Sequence, residues 1–238
     1  MALTDGLVAY YKLDGDATDV SGNGNDGTIH GATVTTGKIN QCYNFDGSND
    51  YIDTGITDVI VYENDWSFAA WVYTEDISGY YGFANKNYQD DPTIRFQAKD
   101  NGDGTIHIDI FLGTYNGGNG PFIHLTYDTI KDWHYIVTTF DSSTHIARLY
   151  VDGNFITSGE VKANITNSRP LQLGITKQSN YSYSGYYFDG KIDEVGIWNR
   201  ALTEEEVTQL YNNGDGLSYP FTTSVEKKSD VLFFGGGF

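Results

Sequence analysis

The 238-residue chain has one cysteine, one methionine and four prolines, and it sets only 14 lysines and arginines against 32 aspartates and glutamates. Each shortage excludes something. A lone Cys42 permits no intrachain disulfide, so the fold must rest on its core, and the residue reads as a small buried one. A formal net charge of −18 repels nucleic acid and anionic membranes. No run approaches the roughly 18 apolar residues of a membrane span, so no membrane insertion is expected. The start, "MALTDGLVAYYKLDGDATD", lacks a basic region followed by an apolar one and so carries no recognisable Sec signal. Long Ala/Leu/Glu/Lys runs are also missing, which argues against a mainly helical protein.

What is abundant belongs to strands and turns: 28 Gly, 19 Tyr and 13 Phe. A chain of this length buries a sizeable core as one domain. Residues 7–13, 66–73, 94–98, 105–112, 133–140, 146–151, 171–175 and 191–198 read as strands. Within 66–73, Trp66, Phe68, Ala70 and Val72 point one way and Ala69, Trp71 and Tyr73 the other, so this strand should be covered on both faces. Arg95, Gln97 and Lys99 alternate with Ile94, Phe96 and Ala98, and His107 and Asp109 with Ile106, Ile108 and Ile110, as in a half-buried hairpin. Its loop, 100–104, lacks the later Glu of a calcium loop and reads as a turn. Asp152-Gly153 marks a tight hairpin. One good helix is visible, "LTEEEVTQLYNNG", with Thr203 and Glu206 as a capping box and Gly214 as its stop.

The turn-dense stretch 20–51, "VSGNGNDGTIHGATVTTGKINQCYNFDGSNDY", sets backbone carbonyls beside carboxylates, the donor chemistry of a calcium ion. With "GLVAYYK" before it, "SGNGNDGT" and "FDGSNDYI" inside or overlapping it, and "WSFAAWVY", "DGKIDEVGIWNRALTEEEV" and "LYNNG" after, the chain resembles a laminin-G-like domain of the concanavalin A-like lectin/glucanase superfamily over about residues 5–216. The resemblance implies an all-β jelly-roll sandwich of two antiparallel sheets with one short C-terminal helix. It implies a domain at 1–216 and a C-terminal extension at 217–238. It also implies a structural calcium held by Asp14 or Asp19, the Gly47 carbonyl and Asp193, with Asp46, Asn49 and Asp50 as secondary candidates. The other reading of Asp193 is a carboxylate capping backbone amides. Relatives that start directly on the domain include phage and prophage products, which points to a virion or other extracellular surface.

Tyr181, Tyr183, Tyr186, Tyr115 and Tyr88 fall in Ser/Gly/Asn-rich stretches. Tyrosine offers an apolar face for sugar C–H groups and a polar tip, so these residues are candidates for contacting glycans or a surface receptor; Tyr186 reads equally well as a residue packed on a sheet. Catalysis has little support: no paired-carboxylate strand, HExxH or nucleophile elbow is present, and strand alternation should send Asp193 and Glu194 to opposite faces. The final stretch ends in "VLFFGGGF". Phe221, Phe233, Phe234 and Phe238 could anchor it to a neighbouring subunit or a virion partner, or it could be a last strand of its own domain. Two functions stay open: a non-catalytic lectin-like adhesion domain, and a structural decoration or appendage subunit.

Overall fold

Period-two alternation decides the layers. In the computed structural model, which describes residues 1–74, 81–86, 93–113, 122–162, 169–176 and 186–222, the strands form two antiparallel sheets packed face to face. The first sheet is centred on β6 (Trp66–Thr74), with β11 (His134–Asp141), β12 (Ile146–Val151) and β13 (Asn154–Glu160) on one side. On the other side lies β17 (Asp189–Trp198), followed by β4 (Gln41–Asp46) and β3 (Thr33–Thr36). The second sheet runs β10 (Phe122–Ile130), β9 (Thr105–Gly113), β8 (Thr93–Asp100), β7 (Tyr81–Lys86), β14 (Gln172–Leu173), β5 (Tyr51–Asp53), β2 (Thr28–His30). A two-stranded piece joins β15 (Ile175–Thr176) to β16 (Tyr186–Tyr187).

The main core lies between the sheets and includes Phe45, Trp66, Phe68, Phe83, Phe96, Ile108, Ile110 and Ile197. A second apolar layer covers the outer face of the first sheet, where Tyr10, Trp71, Tyr135 and Trp198 meet Val207 and Leu210 of α1 (Glu204–Tyr211). This second layer is why β6 is apolar on both faces: Trp66, Phe68, Ala70 and Val72 look inward, and Ala69 and Trp71 look toward the helix. The helix begins at the capping box, with Thr203 accepting from the Glu206 amide and Glu206 accepting from the Thr203 amide. It ends at Asn212 in the left-handed region, before Gly214 is reached.

The strand expected at 171–175 is broken in two. Gly174 has φ +80°, and a Cβ there would run into the Phe45 ring, so the chain bends between β14 and β15. Strand β10, in which Ile123, Leu125 and Tyr127 alternate with His124, Thr126 and Asp128, was not among the expected strands; it pairs with β9 along its whole length. Cys42 is buried as expected. The chain does not leave the sandwich at 216: Leu217 and Phe221 are buried in the second layer, Tyr10 Oη donates to the Leu217 carbonyl at 3.3 Å, and the Phe221 ring meets Tyr10 edge-on at 5.1 Å. Phe221 therefore packs on its own domain. Phe233, Phe234 and Phe238 lie outside the described residues.

Candidate functional site

Register across the second sheet brings together residues far apart in sequence. Thr28 pairs with Asp53, Asp53 with Gln172, Gln172 with Asn85, and Asn85 with Arg95. Arg95 pairs in turn with Phe111, and Phe111 with His124. Their neighbours in each strand (Ile29, Ile52, Leu173, Ala84, Ile94, Phe96, Ile110, Leu112, Leu125) face the core, so alternation turns this whole row to the outside. It is polar throughout except for Phe111, which is covered by the Arg95 guanidinium at 4.3 Å and the His124 ring at 5.1 Å.

The row and its neighbours are held in place by hydrogen bonds. Gln172 Nε2 donates to Asp53 Oδ2 at 3.2 Å, His124 Nδ1 lies 2.7 Å from Asp109 Oδ1, and His107 Nδ1 lies 2.6 Å from Asp128 Oδ1. The His30 and Tyr51 rings stack at 4.2 Å beside the β2 end. Asn85, at the centre, is 1% exposed, and its side-chain oxygen has no hydrogen-bond partner. Fixed donors, acceptors and ring faces on one sheet surface are the groups that contact hydroxyl-rich ligands.

Of the tyrosine candidates, Tyr88 falls between β7 and β8 and Tyr115 between β9 and β10. Tyr181 and Tyr183 fall between β15 and β16. Those four residues lie outside the described ones. Tyr186 sits in β16, paired with Thr176.

The residues named for calcium are not brought to one point. Both Asp19 oxygens are taken by backbone amides, Oδ1 by Tyr10 and Ser21 and Oδ2 by Asn25. Gly47 (φ +74°) donates to the Phe188 carbonyl next to the Asp46–Asp189 pair, four residues along β17 from Asp193, or about 13 Å at the rise of a strand. Asp14 accepts from Gln41 N at 2.9 Å and Asn40 Nδ2 at 3.3 Å. Asp193 Oδ2 accepts from Ile39 N at 2.9 Å, so the two aspartates clasp the β3–β4 turn between them. Among the described residues no three His, Cys, Asp or Glu side chains converge as a metal cluster.

One expectation is overturned here: Asp193 and Glu194 do not point to opposite faces. Between Asp193 and Gly196 the pairing with β6 slips by one residue, and Glu194 takes φ +49°. This bulge lies where β17 changes its other neighbour from β4 (residues 189–192) to β1 (Leu7–Tyr11, paired with residues 195–198). Ile192 and Val195 face the core on either side of it, and both acids turn outward, Asp193 toward Ile39 and Glu194 toward Tyr10 and Ser218. Asp193 Oδ1 is buried without a hydrogen-bond partner, and the Glu194 carboxylate is buried beside the Tyr10 and Ser218 hydroxyls. Burial, with the charges of Glu194 and Asp14 adding to it, pushes Asp193 up to about 8, and burial with the charge of Asp14 pushes Glu194 up to about 7. Above them is a groove of about 480 Å³ whose lining includes Lys12, Asn40, Asp215 and Ser218.

Sequence reasoning missed the row and the bulge. The outward residues of β8 and β9 were visible by alternation, but β14, β5 and β2 are two or three residues long, and no local pattern states which strands share a register.

The chain belongs to the concanavalin A-like lectin/glucanases superfamily: a laminin G family model of that description matches residues 46–208. Serum amyloid P-component of Mesocricetus auratus is 28% identical over 101 residues, 41% of this chain and 43% of that protein, so the match spans less than half of the curated relative. Among solved structures, the binding domain of Paraclostridial Mosquitocidal Protein 1 superposes with a TM-score of 0.67 at 20% identity, over 90% of this chain and 53% of that one. Domain 4 of AbnA, an extracellular arabinanase from Geobacillus stearothermophilus solved with arabinotriose, gives 0.62 at 23%, over 85% and 96%. The botulinum neurotoxin serotype D binding domain gives 0.67 at 15%, over 88% and 52%. These likenesses establish the jelly-roll fold, and this chain spans about half the length of the two toxin domains. No helix among the described residues is long and apolar enough to cross a membrane.

Proposed function

We propose that the chain is a non-catalytic, lectin-like binding domain. It contacts glycans, free or on a surface receptor, through the outer face of its second sheet and the tyrosine-bearing connections 87–92, 114–121 and 177–185. The observation that carries this reading is the polar row from Thr28 to His124, fixed in register across seven strands with an unsatisfied amide oxygen at its centre. Two structural neighbours support it, one described as a binding domain and the other a domain of an arabinanase solved with arabinotriose. We place the protein outside the cell or on a virus particle, where such a surface meets glycans.

A structural calcium belongs to this reading, and we place the buried carboxylates of Asp193 and Glu194 among its ligands. Bound there, it would neutralise two carboxylates that burial otherwise disfavours as anions. The test is a glycan array with and without calcium, repeated on Tyr181→Ala and Tyr183→Ala. Binding lost in these variants supports the loop contacts, and an array without any bound glycan removes the lectin reading. EDTA should lower the melting temperature of the parent but not of Glu194→Gln. An unchanged parent removes the calcium.

The alternative is a decoration or appendage subunit assembled through its C-terminus. Because Phe221 is part of the domain's own packing, a chain ending at Thr222 is the right comparison. Light scattering showing defined assemblies only for the full chain would favour this alternative.

A further inference from the structure

We infer that β3, the free edge of the first sheet, is a strand-addition site for an extended, basic segment of another protein. The segment lies antiparallel beside Thr33–Thr36 and is held by backbone hydrogen bonds. This edge is separate from the proposed glycan-binding face. Strand β3 pairs with β4 alone and ends its sheet. Gly37 N donates to the Asn40 carbonyl at 3.1 Å, so Gly37 and Asn40 form a hydrogen-bonded pair. Such pairs alternate along an antiparallel ladder, so Thr35–Cys42 and Thr33–Asn44 carry the bonds to β4. The Gln41 amide agrees: it faces Asp14 at 2.9 Å rather than β3. The N–H and C=O groups of Val34 and Thr36 therefore point away from β4. Among the described residues, the Val34 groups meet no partner, and the Thr36 carbonyl meets only the Cys42 thiol at 3.4 Å.

The other edges are protected, each in its own way. Side chains cap the outer side of β1: Asn23 Nδ2 donates to the Leu7 carbonyl and Asn25 Nδ2 to the Val8 carbonyl, both at 2.9 Å. Strand β2 has only three residues. Strand β13 has a slipped register opposite Leu149 and Tyr150 and ends on Glu160. Strands β10 and β13 also close on each other, with Ile123 against Gly159. Strand β3 has none of these devices. It reads Thr-Val-Thr-Thr, all β-branched, with no charge, no proline and no bulge against β4. Thr33, Val34 and Thr36 are exposed.

The surroundings of β3 define the partner. Val34 shares a face with its buried neighbour Tyr43, on the core side of the sheet, yet stays 42% exposed. Ile29 of β2, the last strand of the other sheet, is only partly buried against the same core. An apolar side chain opposite Val34 would cover this seam. The charges beside the edge are carboxylates: Asp14 on the Gln41 amide, Asp16 near Tyr43, and Asp46 two residues past Asn44, all exposed. Lys38, in the β3–β4 turn, is seated over the Trp71 ring at 4.5 Å. A segment that alternates apolar residues with lysine or arginine satisfies both the seam and the carboxylates. The net charge of −18 attracts such a segment and opposes a second copy of this chain.

The experiment titrates the full chain into a fluorescent, end-blocked peptide, Lys-Val-Lys-Val-Lys-Val, and follows anisotropy. The peptide should bind, and its affinity should fall as salt rises from about 50 to about 300 mM. The glutamate analogue, Glu-Val-Glu-Val-Glu-Val, should bind about tenfold more weakly or not at all. Valines opposite Val34 turn their N–H groups to β3, so N-methylation of the valines should weaken binding about tenfold, and N-methylation of the lysines should not. Val34→Pro removes an outward N–H without touching the β4 ladder, and Val34→Lys places a guarding charge on the edge; each should weaken binding about tenfold. Val34→Lys keeps the test decisive should Val34→Pro melt early. Bound peptide should slow hydrogen exchange at the Val34 and Thr36 amides about tenfold. No binding by the parent, equal binding of the glutamate analogue, or unaltered binding by both Val34 variants overturns the inference. A parent that is dimeric in light scattering and monomeric as Val34→Lys puts a second copy on the edge and overturns it too.

Discussion

Replacing His134 with glutamine should destabilise the protein more at acid than at alkaline pH. His134 is buried at the start of β11, and both ring nitrogens face acceptors: Nδ1 lies 2.7 Å from Asp152 Oδ2, and Nε2 lies 2.7 Å from the Ile130 carbonyl. Neither a carboxylate nor a carbonyl can donate, so both nitrogens must carry protons, and the ring is an imidazolium. Burial works against that charge. The hydrogen bond to Asp152 and the one to Ile130 outweigh it and raise the His134 pKa above its ordinary value. A hydrogen bond to a charged group contributes about 1.5–3 kcal/mol, and glutamine can restore one neutral bond, which leaves a net loss of about 2–3 kcal/mol.

In a domain of this size each kcal/mol moves the melting temperature by about 2–4 °C, so the variant should melt about 5–10 °C lower. The pH dependence has a fixed sign. A group whose folded pKa is raised contributes fully below its unfolded value of about 6.5 and loses that contribution as pH climbs through the folded value. The gap between parent and variant should therefore be widest near pH ~5.5 and shrink steadily toward pH ~9 in melts followed by fluorescence. A gap that stays constant with pH, or grows toward alkaline pH, refutes the doubly protonated ring.

Three further outcomes follow from the packing. Glu206→Ala removes the partner of Arg200, whose Nη1 and Nη2 lie 2.7 and 2.8 Å from its two oxygens, together with half of the capping box. Breaking so buried a pair should lower stability by about 3–5 kcal/mol in denaturant titrations, and a loss below about 1 kcal/mol would show the pair to be solvated. Phe221→Ala should reduce stability by about 3–5 kcal/mol, while ending the chain at Thr222 should leave the melting temperature unchanged; the reverse ranking would mean that Phe221 is not part of the core. Burial pushes the Cys42 thiol up to about 12, so maleimide should not label the native protein at pH ~8 but should label it once it is unfolded, and quick native labelling would contradict the placement.

Alternation made some of the fold legible and left the rest hidden. Trp66 to Val72 announced a strand covered twice, and the Thr203–Glu206 spacing announced the start of the helix, because both signals sit within a few residues of each other. The Asp152-Gly153 turn was equally local, and both residues take the positive φ that this hairpin requires. The candidate site was legible only in fragments. Arg95 and Gln97 could be assigned to an outer face, but their alignment with Asp53 and Gln172 is a matter of register between distant strands. Phe221 was equally hidden: its exposed-looking context gives no sign of the Tyr10 and Trp198 rings it meets. The bulge at Glu194 is written in the sequence as two adjacent acids. Without knowing that β17 changes neighbours there, strict alternation was the natural reading, and it was wrong.

That bulge makes the second acid separable from the sandwich. Ile192 and Val195 would still face the core if Glu194 were deleted, because Asp193 alone would then stand between them and simple alternation would hold. The inner core thus has no stake in the extra residue. A lineage could gain or lose this carboxylate by a single-codon insertion without repacking the interior, and could trial a polar function on the outer layer while the scaffold stayed as it was. A deletion variant that melts cooperatively, with its loss of stability confined to the packing of Leu217 and Phe221, is the signature of such independence.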